Sequence, residues 1–113
     1  MTSPNFGVGV YPNDLDYKQT IKVEKGKAIK IHFTDWEVEL WLGRRCDDVT
    51  ITEGDGSTLA NIRSEEHDFG VKDIPEFVSK TDTVHVLFHT DESVQRPGWR
   101  LIWGEYQCLF SKN

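Results

Sequence analysis

Long apolar runs, basic residues and cysteines are all scarce in this sequence of 113 residues. No apolar run approaches the roughly 18 to 20 residues that span a bilayer, so we expect no membrane insertion. Lys and Arg number 13 against 19 Asp and Glu, which gives a formal net charge of −6. Nucleic-acid affinity comes mostly from clustered Lys and Arg, so this balance argues against a nucleic-acid partner.

The two cysteines, Cys46 and Cys108, are too few for a fold held together by many disulfides. They could form one bridge or remain two separate buried thiols, and the sequence leaves both possibilities open. Residues 1–5 carry neither the basic nor the apolar region of a signal peptide, so the cellular compartment has to be inferred from other features.

The strongest pattern that is present is an alternation of apolar and polar residues. Within residues 28–33, the side chains of Ile29, Ile31 and Phe33 share one face, with polar neighbours on the other. This period of two is typical of half-buried β-strands. It recurs in residues 20–24, 49–51, 84–89 and 99–103.

Helical periodicity is weak throughout the chain. Residues 59–69 hold at most one turn of helical spacing, and Pro75 interrupts the stretch that follows. Several short strands separated by turns predict an all-β domain, an antiparallel β-sandwich of two sheets. We expect a single domain over residues 6–106, followed by a tail at residues 107–113.

Most of the large aromatic residues are expected to be structural. Trp36, Trp99 and Trp103, like Tyr11, are predicted to pack in the core or against a sheet face. Trp41 lies in a Leu-Trp-Leu segment with little around it to bury it. An exposed apolar patch at Trp41 would mark a contact site.

Three carboxylates, Glu39, Asp47 and Asp91, lie near the ends of predicted strands. Strand ends cluster at the two poles of an antiparallel sandwich, so these side chains could meet at one pole. They would repel one another unless a cation held them, and Ca²⁺ accepts six to eight oxygen ligands in flexible geometry. With 19 acidic residues in the chain, residue type alone leaves this a hypothesis.

A series of short motifs resembles the CUB domain family over about residues 6–106. No single motif is specific, and the resemblance depends on their order and spacing. The motifs are Tyr11-Pro12, GKAIKIHF at 26–33, FTDWEVE at 33–39, DDVTI at 47–51, GDG at 54–56, FHTDES at 88–93 and GWRL at 98–101. The family fold, a jelly roll of two antiparallel sheets, agrees with the predicted strands.

The resemblance also implies a calcium site, formed by carboxylates and by backbone near the last serine of the FHTDES motif. The implied metal ligands are Glu39, Asp47, Asp91, Ser93 and Val94. Tyr11 matches the family tyrosine that supports the glutamate and a coordinated water.

The usual family disulfides are missing from this chain. Tyr17 and Arg44 stand where the resemblance expects one cysteine pair, and the second pair is absent altogether. Cys46 and Cys108 are therefore unexplained by the family. The loss of the family pairs also weakens the inference that the protein belongs to an oxidising compartment.

The function implied by the resemblance is that of a secreted, extracellular, calcium-dependent recognition module and not of an enzyme. The partner would be a protein whose basic side chain, typically lysine, is captured by Glu39, Asp91 and Ser93, with Trp41 as a further contact. The module would belong to a larger chain or a small oligomer. The alternative is a carbohydrate-binding β-sandwich, in which Trp41 or Trp36 stacks on a glycan.

Overall fold

Two antiparallel β-sheets form the part of the chain described by the structure, a computed structural model that covers residues 1–38, 47–64, 69–91 and 96–106. A short 3-10 helix, Val71–Asp73, lies between the fourth and fifth strands. The strands are β1 (Asp16–Lys22), β2 (Ala28–Glu37), β3 (Asp48–Glu53), β4 (Thr58–Ile62), β5 (Phe77–Val78), β6 (Thr83–His89) and β7 (Gly98–Tyr106). In these ranges, no helix has the length and apolar character needed to cross a membrane.

The larger sheet has the strand order β1-β6-β3-β4, and the smaller sheet has the order β5-β2-β7. All pairings between these strands are antiparallel. Among them, β3 and β4 are the only consecutive strands that pair as a hairpin. The prediction of an all-β sandwich of two sheets is therefore confirmed.

The alternating apolar residues face one another across the gap between the sheets. Trp99 of the smaller sheet packs edge-to-face on Phe88 of the larger sheet, with the ring centroids 5.7 Å apart. Burying a side chain of this size contributes about 1.5 to 3 kcal/mol, so this layer is the main source of stability. Its fully buried members include Ile29, Ile31, Phe33, Val49, Ile51, Val84, Val86, Phe88, Trp99 and Leu101.

The hairpin between β3 and β4 is tied to the rest of the fold by a buried carboxylate. Glu53 is 3% exposed and accepts hydrogen bonds from the backbone N–H of Lys80 (2.8 Å), the backbone N–H of Thr81 (3.2 Å) and the Thr81 hydroxyl (2.8 Å). Three donors compensate the loss of hydration that burial imposes on this carboxylate. The hairpin is thereby fixed against the segment that leads into β6.

Two features differ from the sequence prediction. Residues 59–69, for which the sequence indicates no strand and at most one helical turn, begin with part of β4, which pairs along β3. Trp103, expected to pack in the core or against a sheet face, is 45% exposed. Trp103 lies on β7, an edge strand of the smaller sheet among the described residues. The N-terminal segment pairs with this edge only as far as Leu101, whose N–H donates to the Met1 carbonyl, and Trp103 follows that point.

Candidate calcium site

The topology brings two of the predicted carboxylates to one end of the sandwich. β3 and β6 are antiparallel neighbours, and the first residue of β3, Asp48, pairs with the last residue of β6, His89. Asp47 directly precedes β3, and Asp91 follows β6 by two residues. Both carboxylates therefore lie at the same pole, as the strand pattern predicts.

Asp47 is the centre of this arrangement. It is fully buried, and its Oδ2 accepts a hydrogen bond of 2.5 Å from the phenol of Tyr11. Its Oδ1 accepts a hydrogen bond of 2.9 Å from the backbone N–H of Asp91. We call the group formed by Tyr11, Asp47 and Asp91 the acidic pole.

Tyr11 is fixed at this pole by both its backbone and its ring. Its backbone N–H donates to the carbonyl of Arg96 (3.1 Å). Its ring packs edge-to-face on Phe88, with the ring centroids 4.9 Å apart. The phenol is therefore held in position to donate to Asp47.

Thr90 positions the chain on either side of the acidic pole. Its buried hydroxyl donates to the carbonyl of Pro12 (2.9 Å) and accepts from the backbone N–H of Leu15 (2.7 Å). Its own N–H donates to the Leu15 carbonyl (2.9 Å), and the N–H of Asp14 donates to the Asp91 carbonyl (2.7 Å). Apart from its place in the FHTDES motif, no sequence pattern points to this role.

The neighbouring surface is electronegative. His89 lies between Asp16 on β1 and Asp48 on β3 in the strand register. The pKa of His89 is raised, chiefly by the hydrogen bond between its Nδ1 and Asp16 Oδ1 (2.8 Å) and further by the charges of Asp16, Asp48 and Asp47. A cation placed near this pole would meet the same negative field.

The remaining predicted site residues, Glu39, Trp41, Ser93 and Val94, lie outside the described residues. The strand that leads toward Glu39, β2, ends at Glu37, which pairs with Gly98 at the start of β7. Within residues 1–38, 47–64, 69–91 and 96–106, no three His, Cys, Asp or Glu side chains form a group that could hold a metal by themselves. The described part of the site is thus two carboxylates and a tyrosine.

The donor chemistry of the acidic pole fits calcium. An ionised carboxylate offers about four lone-pair sites, and the hydrogen bonds from Tyr11 and Asp91 use one on each oxygen of Asp47. Together with Asp91, this carboxylate supplies the type of oxygen ligand that Ca²⁺ takes in proteins. A buried carboxylate is also stabilised by nearby positive charge, which a divalent ion bound by oxygen ligands would supply.

Trp36 does not suit the sugar-stacking role considered for it. Its side chain is 6% exposed, and its Nε1 donates to the hydroxyl of Ser64 (2.8 Å). The Ser64 hydroxyl in turn donates to the carbonyl of Val38 (3.1 Å). The prediction that Trp36 packs in the core is therefore confirmed, the alternative in which it stacks on a glycan does not fit, and its role is to anchor the end of β2.

Solved structures share this fold. The CUB1-EGF-CUB2 region of human MASP-1/3 superposes with a TM-score of 0.80 at 22% identity, covering 96% of this chain and 41% of that chain. The CUB2 domain of MASP-1 bound to Ca²⁺ gives a TM-score of 0.74 at 23% identity, covering 91% of this chain and 88% of that chain. These likenesses establish the sandwich architecture.

Sequence comparison connects the chain to much longer proteins. It is 31% identical to cubilin of Sus scrofa over 104 residues, which is 90% of this chain and 3% of that protein. It is 27% identical to human cubilin over 101 residues, covering 89% of this chain and 3% of that protein. The chain thus spans a small fraction of the curated relatives that it matches.

The family model for the CUB domain matches residues 1–103, nearly the whole chain. The matched range contains β1 to β6, most of β7 and the acidic pole described above. By its sequence, and in agreement with its architecture, the chain belongs to the CUB domain family.

Proposed function

We propose that this chain is a calcium-dependent extracellular recognition module that captures a basic side chain, typically lysine, of a protein partner. CUB domains generally act as extracellular protein-interaction modules rather than as catalysts. The observation that carries the proposal is the acidic pole, in which buried Asp47 is held by Tyr11 and by the backbone of Asp91.

Calcium would be held at this pole by oxygen ligands. Asp47 and Asp91 are the described candidates, and the family resemblance adds Glu39 and the chain at Ser93 and Val94. When bound, the ion supplies positive charge that lets several carboxylates remain close together. A related MASP-1 CUB2 domain has been solved with Ca²⁺, which supports the same chemistry here.

Capture of a basic side chain would depend on a carboxylate that contacts both the metal and the partner. Asp47 is fully buried and unavailable to a partner, whereas Asp91 is only partly buried. Because Oδ2 of Asp91 is buried, this residue would contact the metal through Oδ2 and accept from an ammonium group through Oδ1, a charge-assisted bond stronger than a neutral one. Glu39 and Ser93 are the further acceptors that the family resemblance proposes.

Calorimetric titration of calcium into chelator-treated protein tests the metal site. We expect one calcium bound per chain, and a higher midpoint of thermal unfolding in millimolar calcium than in chelator. At a hundredfold excess over Kd, a ligand held only by the native state adds about 2.7 kcal/mol. Equal midpoints and no heat of binding would remove calcium from the proposal.

Capture from secretions on the immobilised domain tests partner recognition. We expect partners to bind in calcium and to be released by chelator or by free lysine. Glycan binding is the competing outcome: retention that survives chelator and is lost in Trp41→Ala would replace lysine capture with carbohydrate recognition.

A further inference from the structure

The segment between Ser3 and Tyr11 forms a loop beside the acidic pole. Its two ends are both held by hydrogen bonds, Ser3 N–H to the Trp99 carbonyl (3.0 Å) and Tyr11 N–H to the Arg96 carbonyl (3.1 Å). We call residues 4–10 the Val8 loop. Because consecutive Cα atoms are about 3.8 Å apart, Val8 lies within about 11 Å of Tyr11.

Internal hydrogen bonds give the Val8 loop a defined shape. The Asn5 carbonyl accepts from the N–H groups of Val8 and Gly9, both at 3.0 Å. The Asn5 side-chain amide donates to the Val10 carbonyl (3.1 Å). Asn5 and Gly7 adopt left-handed backbone conformations, with φ of 65° and 91°, which turn the chain back on itself.

This ordered loop presents apolar side chains to solvent. Val8 is 87% exposed and Val10 is 41% exposed. A single exposed valine needs no explanation, but here two lie on one pre-shaped loop that runs directly into Tyr11. The phenol of Tyr11 donates to Asp47, which in turn accepts from the backbone of Asp91, so the loop is directly connected to the acidic pole.

We propose that the Val8 loop is the apolar half of the partner-binding surface, so that this module prefers a lysine flanked by an apolar residue. The inference rests on the proposed function, because the lysine is bound by the acidic pole. The complementary partner segment pairs a cation with Asp91 of the acidic pole and an apolar side chain with Val8 and Val10. Since the loop is already ordered by Asn5, little conformational entropy is lost on binding.

Two short peptides test this preference. Acetyl-Gly-Lys-Gly-amide and acetyl-Leu-Lys-Leu-amide are titrated in millimolar calcium into the isotope-labelled domain, and binding is followed by amide NMR shifts. We expect the Leu peptide to bind about five- to tenfold more tightly, the gain from partly burying one leucine. Only the Leu peptide should shift the amide signals of Val8 and Val10.

Matched variants assign the preference to the loop. Val8→Ser should reduce the ratio of the two affinities to about one while leaving the affinity for the Gly peptide unchanged. Val10→Ser should reduce the same ratio by a smaller factor. Val78→Ser, at a 39% exposed valine on the edge strand β5, is the control and should leave the ratio intact.

The outcomes separate this inference from the proposed function. Calcium-dependent binding of both peptides with equal affinity, or a Leu preference that survives Val8→Ser, would overturn the loop's role and leave lysine capture standing. No calcium-dependent binding of either peptide would overturn lysine capture and the loop's role together.

Discussion

The phenol of Tyr11 donates a hydrogen bond to the buried carboxylate of Asp47 across 36 residues of sequence. This contact joins the N-terminal segment to the start of β3. It links fold stability to the proposed metal site, because the same carboxylate is a candidate ligand. Changes at these two residues therefore separate structural from metal-dependent effects.

Tyr11→Phe should destabilise the domain by about 1.5 to 3 kcal/mol, the usual contribution of a hydrogen bond to a charged group. The ring packing on Phe88 is retained, so the loss reports on the hydroxyl alone. Urea unfolding in chelator measures it. Tyr17→Phe is the matched control, because the described contact of the Tyr17 hydroxyl is an exposed hydrogen bond that it accepts from Gln19. Equal unfolding midpoints for the two variants would contradict the role of Tyr11.

Asp47→Asn should abolish calcium stabilisation while leaving a folded domain. An asparagine can keep its carbonyl toward the Asp91 N–H and donate its amide to the Tyr11 oxygen, so the local hydrogen bonds survive in reversed form. The metal-binding charge is lost. Thermal unfolding with and without calcium should give the same midpoint for this variant, and a calcium-induced rise as large as that of the parent chain would exclude Asp47 as a ligand.

Glu53→Gln should cost about 2 to 3 kcal/mol without changing calcium affinity. One side-chain oxygen becomes an NH₂ group that faces donors from Lys80 or Thr81, and the charge that strengthens those bonds is removed. Chemical unfolding and calcium calorimetry measure the two effects. Glu76→Gln, at an exposed ion pair with Lys30, is the control and should be nearly neutral.

The raised pKa of His89 predicts a small dependence of stability on pH. Its protonated form is favoured in the folded state by Asp16, so this stabilisation is full below the ordinary histidine pKa of about 6.5. It is lost as the pH rises through the higher folded-state pKa. Both side chains are largely exposed, which limits the contribution to less than about 1 kcal/mol.

NMR titration of the histidine rings checks this directly. The pKa of His89 should fall toward its usual value in Asp16→Asn. An unchanged pKa in that variant would mean that the hydrogen bond to Asp16 does not control His89.

The alternating strands were predictable because burial on one face of a sheet imposes a period of two on the sequence. Ile29, Ile31 and Phe33 in β2 follow this rule and are all buried. β4 was not predicted, because it is an edge strand of the described sheet with a single buried residue, Ile62, and its sequence therefore shows no alternation. Trp103 was misjudged because hydrophobicity does not reveal which positions of an edge strand are left uncovered.

The approach of Asp47 and Asp91 was predictable from the strand pattern, because the start of one strand lies beside the end of its antiparallel neighbour. Asp47 precedes β3 and Asp91 follows β6, so both lie at the same pole. The partner of the Tyr11 phenol was not, because the resemblance associated Tyr11 with Glu39, whereas the described contact is with Asp47. The buried role of Glu53 also has no local signal. Its compensating donors come from Lys80 and Thr81, far away in sequence.

The strand order also has a kinetic consequence. The β3–β4 hairpin brings together residues such as Thr50 and Asn61, only 11 apart, whereas His89 meets Asp16 across 73 residues and the Met1 amine meets the Leu101 carbonyl across 100. Loop closure must precede such distant contacts, and domains dominated by non-local strand pairing fold on a scale of milliseconds to seconds. The hairpin can form early, but the sheets can close only after the last strand is available, which leaves β2 without its main partner until synthesis of the domain is nearly complete.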